Sequence, residues 1–451
     1  MTNKMPFSFV LAIGFMLFAL FFGAGNLIFP AMLGQSAGTN IWSANAGFIV
    51  TGVGLPLLGV LALGYSGKSD LQSLASRVHP AFGLAFTVIL YLAIGPLFAI
   101  PRTGTASFEM GIRPFLSEGT STIGLLIFTI LFFGATIFFS LKSTKIVDIV
   151  GKVLTPLLLI FIGILIATAF IFPIGSFQAP TGNYLDGSFF TGFQEGYLTM
   201  DALAAFVFGI VVINAVKAKG AKTKKEIMIA VAKAGSIAAG LLAIIYTSLS
   251  YIGASSVGVF GQLENGGAVL SGASNHFFGA YGGLLLSLIV IAACLTTSIG
   301  LIISCSSYFN KLLPSIPYKT FVILLSTISA IFANVGLTQL IAVSVPVLVA
   351  IYPFVVCLMA LTFLHSFFDG RKEVYQGSMI FTSIVAITDA LKAADMSIAP
   401  VENLFGTILP LYDVGLGWIF PAIIGGVLGY VWGKFAVKEH PQSGKLERKA
   451  G

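Results

Sequence analysis

The chain has 451 residues, of which 57% are hydrophobic and only 9% are charged. Soluble domains carry about 25% charged residues, so this composition excludes an ordinary soluble protein. The formal net charge of +7 comes from lysines and arginines scattered between apolar runs. Membrane insertion requires that distribution, and we therefore reject a nucleic-acid-binding function.

Apolar runs of about 20 residues, enough to cross a bilayer as a helix, recur along the whole chain. They predict an all-α membrane protein with twelve transmembrane helices, because the strands of a membrane barrel would alternate apolar and polar residues. The predicted spans are residues 7–33, 41–66, 80–101, 121–141, 147–172, 195–216, 230–256, 280–309, 319–336, 338–365, 377–392 and 414–436. They form one transmembrane domain, residues 1–436, followed by a short tail at 437–451.

The basic residues test this count of spans. All but three of the 24 lysines and arginines fall in segments predicted on the same side as the N-terminus. Cytoplasmic segments carry the excess of lysine and arginine, so both termini and the tail are predicted to be cytoplasmic. The three exceptions are Arg102, Arg113 and Lys392, and we expect Arg102 to lie at the external rim.

Two of the predicted spans are interrupted. Span 1 contains ALFFGAGNLIFP, where Gly23 is a poor helix former and the Asn26 amide is costly in hydrocarbon without a partner. Span 6 begins with FQEGYLTMDALAAF, which carries Glu195, Thr199 and Asp201. Spans 1–5 and 6–10 have opposite orientations because five is odd. Interrupted helices at matching positions of two inverted halves indicate the substrate site of a transporter.

The backbone groups that a helix break exposes explain why interrupted helices indicate a substrate site. The freed N–H groups of one half are electropositive and suit a carboxylate, whereas the freed carbonyls of the other half suit Na⁺. Gly23 and Gly25 permit the break and let a ligand approach the backbone. Span 8 adds the run AACLTTSIG, with consecutive hydroxyls at Thr296, Thr297 and Ser298.

These motifs resemble the bacterial branched-chain amino acid carrier family, the leucine/isoleucine/valine:cation symporters. The resemblance lies in LFFGAGNLIFPAMLGQSAG, EGYLTMDALAAFVFGIVV and GPLFAIPRTGT, and it covers essentially the whole chain. It implies the leucine-transporter fold, with ten core helices in a 5+5 inverted repeat, broken helices 1 and 6, and two further C-terminal helices. The repeats would comprise residues 7–172 and 195–365, and the extra helices residues 377–436.

The resemblance also implies ligands. FFGAGNL and ACLTTSIG are similar to the sodium-binding segments of spans 1 and 8 in sodium-coupled relatives with this fold. The implied ligands of this sodium are the carbonyls of Ala19, Phe22 and Ala293 and the hydroxyls of Thr296 and Thr297. A second sodium would use the carbonyl of Phe21 and the side chains of Asn26 and Thr199. Span 7 contains no asparagine to complete that second cage.

The implied substrate site lies at the two breaks. The substrate carboxylate would meet the N–H groups of Ala24 and Gly25, and the ammonium would meet carbonyls near Leu198 and Met200, together with Asp201; Thr199 belongs to the same site. Leucine, isoleucine and valine are all expected to fit, because one methylene changes binding by only about 1–3 kcal/mol.

We therefore expect a secondary active transporter of the bacterial cytoplasmic membrane, not an enzyme. It would couple inward Na⁺ flow to uptake of leucine, isoleucine and valine, with Na⁺ as coupling ion, no organic cofactor, and the lipid bilayer and the substrate as its partners. Proton coupling through Asp201 or Glu195, with these or another small amino acid as the substrate, is the main alternative. A nucleobase substrate, a channel and an intramembrane enzyme are further alternatives, and the spans contain no cluster of metal-binding side chains that favours the enzyme.

Overall fold

The structure is a computed structural model that describes residues 6–68, 70–141, 155–396 and 398–436. Within these ranges the chain is helical and has no β-strand, which confirms the predicted all-α class. Backbone N–H and C=O groups in a bilayer must find hydrogen-bond partners within the chain. Helices provide these partners along the continuous apolar runs. Lys4, residues 142–154 with the predicted start of span 5, Ser69, Ser397 and the predicted tail lie outside the described residues.

The helices follow the predicted spans in order. The first nine are α1 (Phe7–Phe21), α2 (Ala24–Ala37), α3 (Ile41–Ile49), α4 (Leu55–Ser66), α5 (Leu71–Ala75), α6 (Pro80–Leu92), α7 (Ala99–Gly111), α8 (Ser121–Ser140) and α9 (Thr155–Ile171). The others are α10 (Ser188–Glu195), α11 (Asp201–Ala218), α12 (Lys224–Phe260), α13 (Gly266–Phe278), α14 (Ala280–Leu312), α15 (Tyr318–Ala333), α16 (Leu337–Phe363), α17 (Lys372–Ala393), α18 (Ala399–Ile408) and α19 (Ile419–Ala436).

Eight helical segments in the described ranges are long and apolar enough to cross a membrane. They are Ala24–Ser66, Pro80–Phe115, Ser121–Ser140, Asp201–Ala218, Lys224–Phe260, Tyr281–Leu312, Leu337–Phe363 and Lys372–Ala393. Four shorter apolar helices accompany them: Phe7–Phe21, Thr155–Ile171, Tyr318–Ala333 and Ile419–Phe435. Together these segments overlap all twelve predicted ranges, and the first range is divided because its helix breaks between α1 and α2.

The chain forms two compact units. The first comprises Met1–Leu71 and Thr87–Leu348, and it contains both interrupted spans. The second comprises Gln72–Phe86 and Val349–Gly451. In the second unit α17 packs on α19 through bare backbone, because a Cβ on Gly377 would lie 2.1 Å from the carbonyl oxygen of Gly425.

In the first unit, each interrupted span packs along one long partner. α1 and α2 both pack on α12, and α10 and α11 pack on α3 and α4, which are joined by a π-helical segment at Val50–Gly54. At the α2–α12 contact, a Cβ on Gly34 would lie 1.9 Å from the Ser250 carbonyl oxygen, and one on Gly253 would lie 2.0 Å from that of Ala31. The two helices therefore touch backbone to backbone.

The α3–α10 contact has the same construction. A Cβ on Gly47 would lie 1.9 Å from the Phe189 carbonyl oxygen, and one on Gly192 would lie 2.0 Å from that of Ala44. Each contact thus has one glycine on each helix, facing a carbonyl of the partner. These two contacts fix the positions of the helix halves that lead to the two breaks.

We predict that Gly253→Ala destabilises the protein by about 1–3 kcal/mol, because the added methyl group overlaps the Ala31 carbonyl and forces α2 and α12 apart. Gly240→Ala is the matched control on the same helix, since a Cβ there meets nothing within 4 Å. The free energy of unfolding in detergent micelles measures both variants. Equal stability of the two would contradict the glycine contact.

Candidate functional site

The first break releases backbone groups of α1 and α2. The last N–H of α1's ladder is that of Phe22, which donates to the Phe18 carbonyl at 2.8 Å. Gly23 is extended (φ −126°, ψ −156°), and its N–H donates to Asn26 Oδ1 at 2.9 Å. A continuous helix would instead bond the Gly23 N–H to the Ala19 carbonyl, which is therefore free for other partners.

The second break lies between α10 and α11. α10 ends at Glu195, a 3₁₀ turn occupies Gly196–Thr199, and Met200 adopts the left-handed conformation (φ 65°) before α11 begins at Asp201. A non-glycine residue in this conformation costs about 1–3 kcal/mol. The Met200 carbonyl accepts the N–H of Ala204 at 3.0 Å, so it continues the helix and is not one of the freed carbonyls.

A buried cluster of side chains joins the two breaks. Asn26 Nδ2 donates to Asp201 Oδ2 at 2.6 Å and also contacts the Tyr246 hydroxyl. The Tyr246 hydroxyl donates to the same Asp201 oxygen at 2.8 Å. All three side chains are at most 2% exposed. The cluster therefore ties α2, α11 and α12 around one carboxylate, as a buried charge requires.

Tyr246 was missed by sequence reasoning, which searched span 7 for an asparagine. The signal was a tyrosine within an apolar span, since a buried tyrosine hydroxyl usually has a hydrogen-bond partner. Tyr246 supplies that helix's polar contribution to the site, although it is not the amide that the family pattern led us to seek.

The prediction that Arg102 lies at the external rim is wrong. Arg102 is 4% exposed, and its Nη1 donates to the Leu198 carbonyl at 3.0 Å and its Nη2 to the Thr199 carbonyl at 3.5 Å. Its guanidinium carbon also lies 5.4 Å from the centre of the Phe29 ring. The predicted span ended at residue 101, but the chain kinks at non-helical Gly95 and continues as the buried helix α7, which turns Arg102 inward.

The junction of α1 and α14 gathers most of the residues implied for the first sodium. Thr296 Oγ1 donates to the carbonyls of Ala19 at 3.0 Å and Ala293 at 2.8 Å. Thr297 Oγ1 donates to the same Ala19 carbonyl at 3.3 Å. Phe22, the fifth implied ligand, is the residue between α1 and Gly23, and its ring stacks on Phe18. Four neutral oxygens thus meet at the first break.

The residues implied for a second sodium are placed less favourably. Phe21, Asn26 and Thr199 all line one cavity. However, Asn26 Oδ1 already accepts the Gly23 N–H, and the Thr199 hydroxyl donates to the Gly196 carbonyl at 2.9 Å. The Asn26 amide nitrogen instead contacts the Tyr246 hydroxyl and a carboxylate oxygen of Asp201.

The cavity lies between the two breaks and has a volume of about 20 Å³, which is about the room for one water molecule. Of the implied substrate-binding residues, Ala24, Gly25, Thr199, Met200 and Asp201 line it. Leu198 is not a lining residue, but its carbonyl accepts a hydrogen bond from Arg102, which lines the cavity. Its apolar wall comes from Ile94, Ala99, Ala204, Phe208 and Leu301. The cavity thus combines opposite charges with an aliphatic and aromatic surface.

Glu195, the other candidate proton carrier, is separated from this cavity by the 3₁₀ turn. It is the last residue of α10 and does not belong to the residues that line the cavity. Asp201 is therefore the carboxylate at the break itself.

We predict that Tyr246→Phe lowers the free energy of unfolding by about 1–3 kcal/mol, because the buried Asp201 carboxyl loses a hydrogen-bond donor. Tyr251→Phe is the matched control on the same helix. It keeps the ring that stacks on Phe170 at 4.8 Å, so we expect a change within about 0.5 kcal/mol. Denaturation of both variants in micelles is the measurement. An equal loss of the free energy of unfolding in the two variants would contradict the stabilising role of the Tyr246–Asp201 hydrogen bond.

Comparison with solved structures places this arrangement in a known fold. The structure is similar to that of Mhp1, a nucleobase-cation-symport-1 family transporter in a closed conformation, with a TM-score of 0.63, 11% identity and coverage of 96% of this chain and 93% of that one. It is also similar to MhsT in complex with L-phenylalanine, with a TM-score of 0.51, 15% identity and coverage of 94% and 98%. At these identities the likeness shows the fold alone, which is the predicted leucine-transporter type.

Sequence comparison gives the family. The model of the branched-chain amino acid transport protein family matches residues 8–436. The chain is 59% identical to the branched-chain amino acid permease BrnQ of Bacillus subtilis, over 97% of this chain and 100% of that protein. It is 44% identical to the branched-chain amino acid transport system 2 carrier protein of Pseudomonas aeruginosa, over 94% and 95%. The resemblance described from the motifs is thus confirmed, and the chain belongs to the branched-chain amino acid transport protein family.

Proposed function

We propose that this protein is a Na⁺-coupled symporter that carries leucine, isoleucine and valine into the bacterial cell across the cytoplasmic membrane. The observation that carries the proposal is the meeting of two helix breaks at one cavity that holds Asp201, Arg102 and an apolar wall. An amino acid zwitterion with an aliphatic side chain is the ligand complementary to that combination. The names of the relatives, branched-chain amino acid permeases, support this substrate class.

The choice of Na⁺ as the coupling ion rests on the junction of α1 and α14. The Thr296 hydroxyl lies within hydrogen-bond distance of the Ala19 and Ala293 carbonyls, and the Thr297 hydroxyl lies within that distance of the Ala19 carbonyl. None of these groups carries a charge, so a monovalent cation would be held by neutral oxygens alone. Because Ala19 belongs to the broken span, a cation there would favour the broken form of the helix.

The twelve-span architecture with a 5+5 inverted repeat is part of the proposal. Its support is the packing on either side of each break. α1 and α2 both pack on α12, which contains span 7, and α10 and α11 pack on α3 and α4, which form span 2. An inverted repeat that relates span 1 to span 6 also relates span 2 to span 7, so it would exchange the α1–α12 contact with the α10–α3 contact, and the α2–α12 contact with the α11–α4 contact. The charge pattern supports cytoplasmic termini.

The size of the cavity supports transport by alternating access. A volume of about 20 Å³ admits a water molecule but not an amino acid. The helices around the breaks must therefore separate to admit the substrate from one side and release it to the other. Rocking of helix bundles around a central site is the usual way in which transporters with inverted repeats do this.

Proton coupling through Asp201 is the second candidate, and one observation favours it. The Asp201 carboxyl group is 2% exposed and lies directly at the break, where intramembrane carboxylates act in proton relays. In that case Asp201→Asn would abolish uptake driven by a pH gradient. Under Na⁺ coupling, the same variant would still respond to a Na⁺ gradient, although with weakened substrate binding.

The deciding experiment is uptake of labelled leucine into proteoliposomes under an inward Na⁺ gradient, with a K⁺-only control and unlabelled isoleucine, valine, alanine and lysine as competitors. We expect uptake that requires Na⁺ and is blocked by isoleucine and valine alone. Uptake that follows the pH gradient and ignores Na⁺ would replace the coupling ion with H⁺. Uptake under neither gradient would refute the substrate assignment.

We predict that the double variant Thr296→Ala, Thr297→Ala raises the Na⁺ concentration for half-maximal uptake by at least about tenfold, because two of the proposed ligands are removed. Ser298→Ala is the matched control, since this neighbouring hydroxyl lies 3.3 Å from Thr136 Oγ1 on α8 and is not part of the junction with α1. The Na⁺ dependence of uptake measures both. An unchanged Na⁺ dependence in the double variant would exclude this sodium site.

A further inference from the structure

Arg102 is the charged side chain of the cavity to which neither the sequence motifs nor the family match gives a role. A Cβ built on Gly25 would lie 2.8 Å from Arg102 Nη2 and 3.3 Å from the guanidinium carbon. The guanidinium therefore lies directly on the bare backbone of Gly25, in the first turn of α2. A side chain at this position would displace it.

Two sources of positive potential thus lie side by side. One is the guanidinium, and the other is the N-terminal end of α2, where the N–H groups of Ala24 and Gly25 have no acceptor within the helix. Both are enclosed at low exposure, so their potentials are poorly screened. This pair of groups is complementary to an anion.

We propose that Arg102 binds the α-carboxylate of the transported amino acid, together with the N–H groups of Ala24 and Gly25, while Asp201 binds the α-ammonium. This inference rests on the proposed function and assigns the recognition of the substrate's charged groups. A guanidinium presents its N–H groups as a planar fork that matches the two oxygens of a carboxylate.

The present partners of Arg102 are consistent with an exchange on substrate binding. Its Nη1 donates to the Leu198 carbonyl and its Nη2 to the Thr199 carbonyl. Carbonyls carry only partial charge, so a carboxylate is the stronger partner for the guanidinium. Turning Arg102 onto the carboxylate releases the Leu198 carbonyl, three residues before Asp201 in the chain, to accept from the substrate's ammonium.

The exchange leaves no buried charge without a partner. Arg102 and Asp201 line the same cavity, and the entering zwitterion brings one charge of each sign. Each resident charge pairs with the opposite charge of the substrate. A ligand that lacks either charge would leave one resident group unpaired, which is costly in a buried site.

The test measures binding of three ligands to the purified full-length protein: leucine, leucinamide, which lacks the carboxylate, and 4-methylpentanoate, which lacks the ammonium. We expect the wild-type protein to prefer leucine to leucinamide by about 100-fold or more. Arg102→Gln should weaken leucine binding by about 100-fold and change leucinamide binding by less than about threefold, so that the preference is lost. Arg102→Lys, which keeps the charge but not the fork, should recover part of it.

Arg113→Gln is the matched control, because Arg113 is an exposed arginine just after the same helix and pairs with Glu109. It should leave the preference unchanged. An equal loss of affinity for leucine and leucinamide in Arg102→Gln would indicate that Arg102 only ties α7 to the second break, and it would overturn the proposal. So would tight binding of leucinamide by the wild-type protein, a result that does not depend on how any variant folds.

The two proposals fail in different ways. Wild-type protein that does not bind leucine would refute the proposed function, and with it this inference. Wild-type protein that binds leucine, combined with a variant that keeps its preference over leucinamide, would refute only the role of Arg102.

Discussion

The burial of one carboxylate organises the centre of this protein. Asp201 begins α11 directly after the second break, and it is stable there because Asn26 and Tyr246 both donate to it. Asn26 in turn accepts the N–H of Gly23 and so holds the first break open. The two breaks are therefore parts of one hydrogen-bonded structure, and the shape of each depends on the other. A change at any member alters the backbone groups offered at both breaks.

The sequence located the breaks well, because their causes are local. Gly23 and the polar run from Glu195 to Asp201 oppose a continuous helix wherever they occur in an apolar span. The contact of Thr296 and Thr297 with Ala19 was implied by the resemblance of ACLTTSIG to a sodium-binding segment, because consecutive residues on a helix point about 100° apart and their spacing alone selects no neighbour. The structure places both against the Ala19 carbonyl.

The two residues that sequence reasoning misplaced or missed depend on tertiary structure. The direction of Arg102 is set by the kink at Gly95, where a π-helical turn and a non-helical residue redirect α7. Hydropathy identifies where an apolar run ends, but not whether the helix continues inward beyond it. Tyr246 is one of two tyrosines in the middle of α12, and only the rotation of that helix against α2 determines that Tyr246 meets Asp201 while Tyr251 stacks on Phe170.

The reciprocal glycine contacts also have a mechanical consequence. α2 and α12, like α3 and α10, meet with carbonyl oxygens lying where side chains would be, so neither pair can slide or rotate without a backbone collision. The two helices of each pair therefore move together as one rigid body. Relative motion must occur at contacts lined by longer side chains, which can change rotamer, such as that between α1 and α14. The contacts that change during such a motion would then lie next to the proposed ion site, where a bound cation would stabilise one arrangement of α1 against α14.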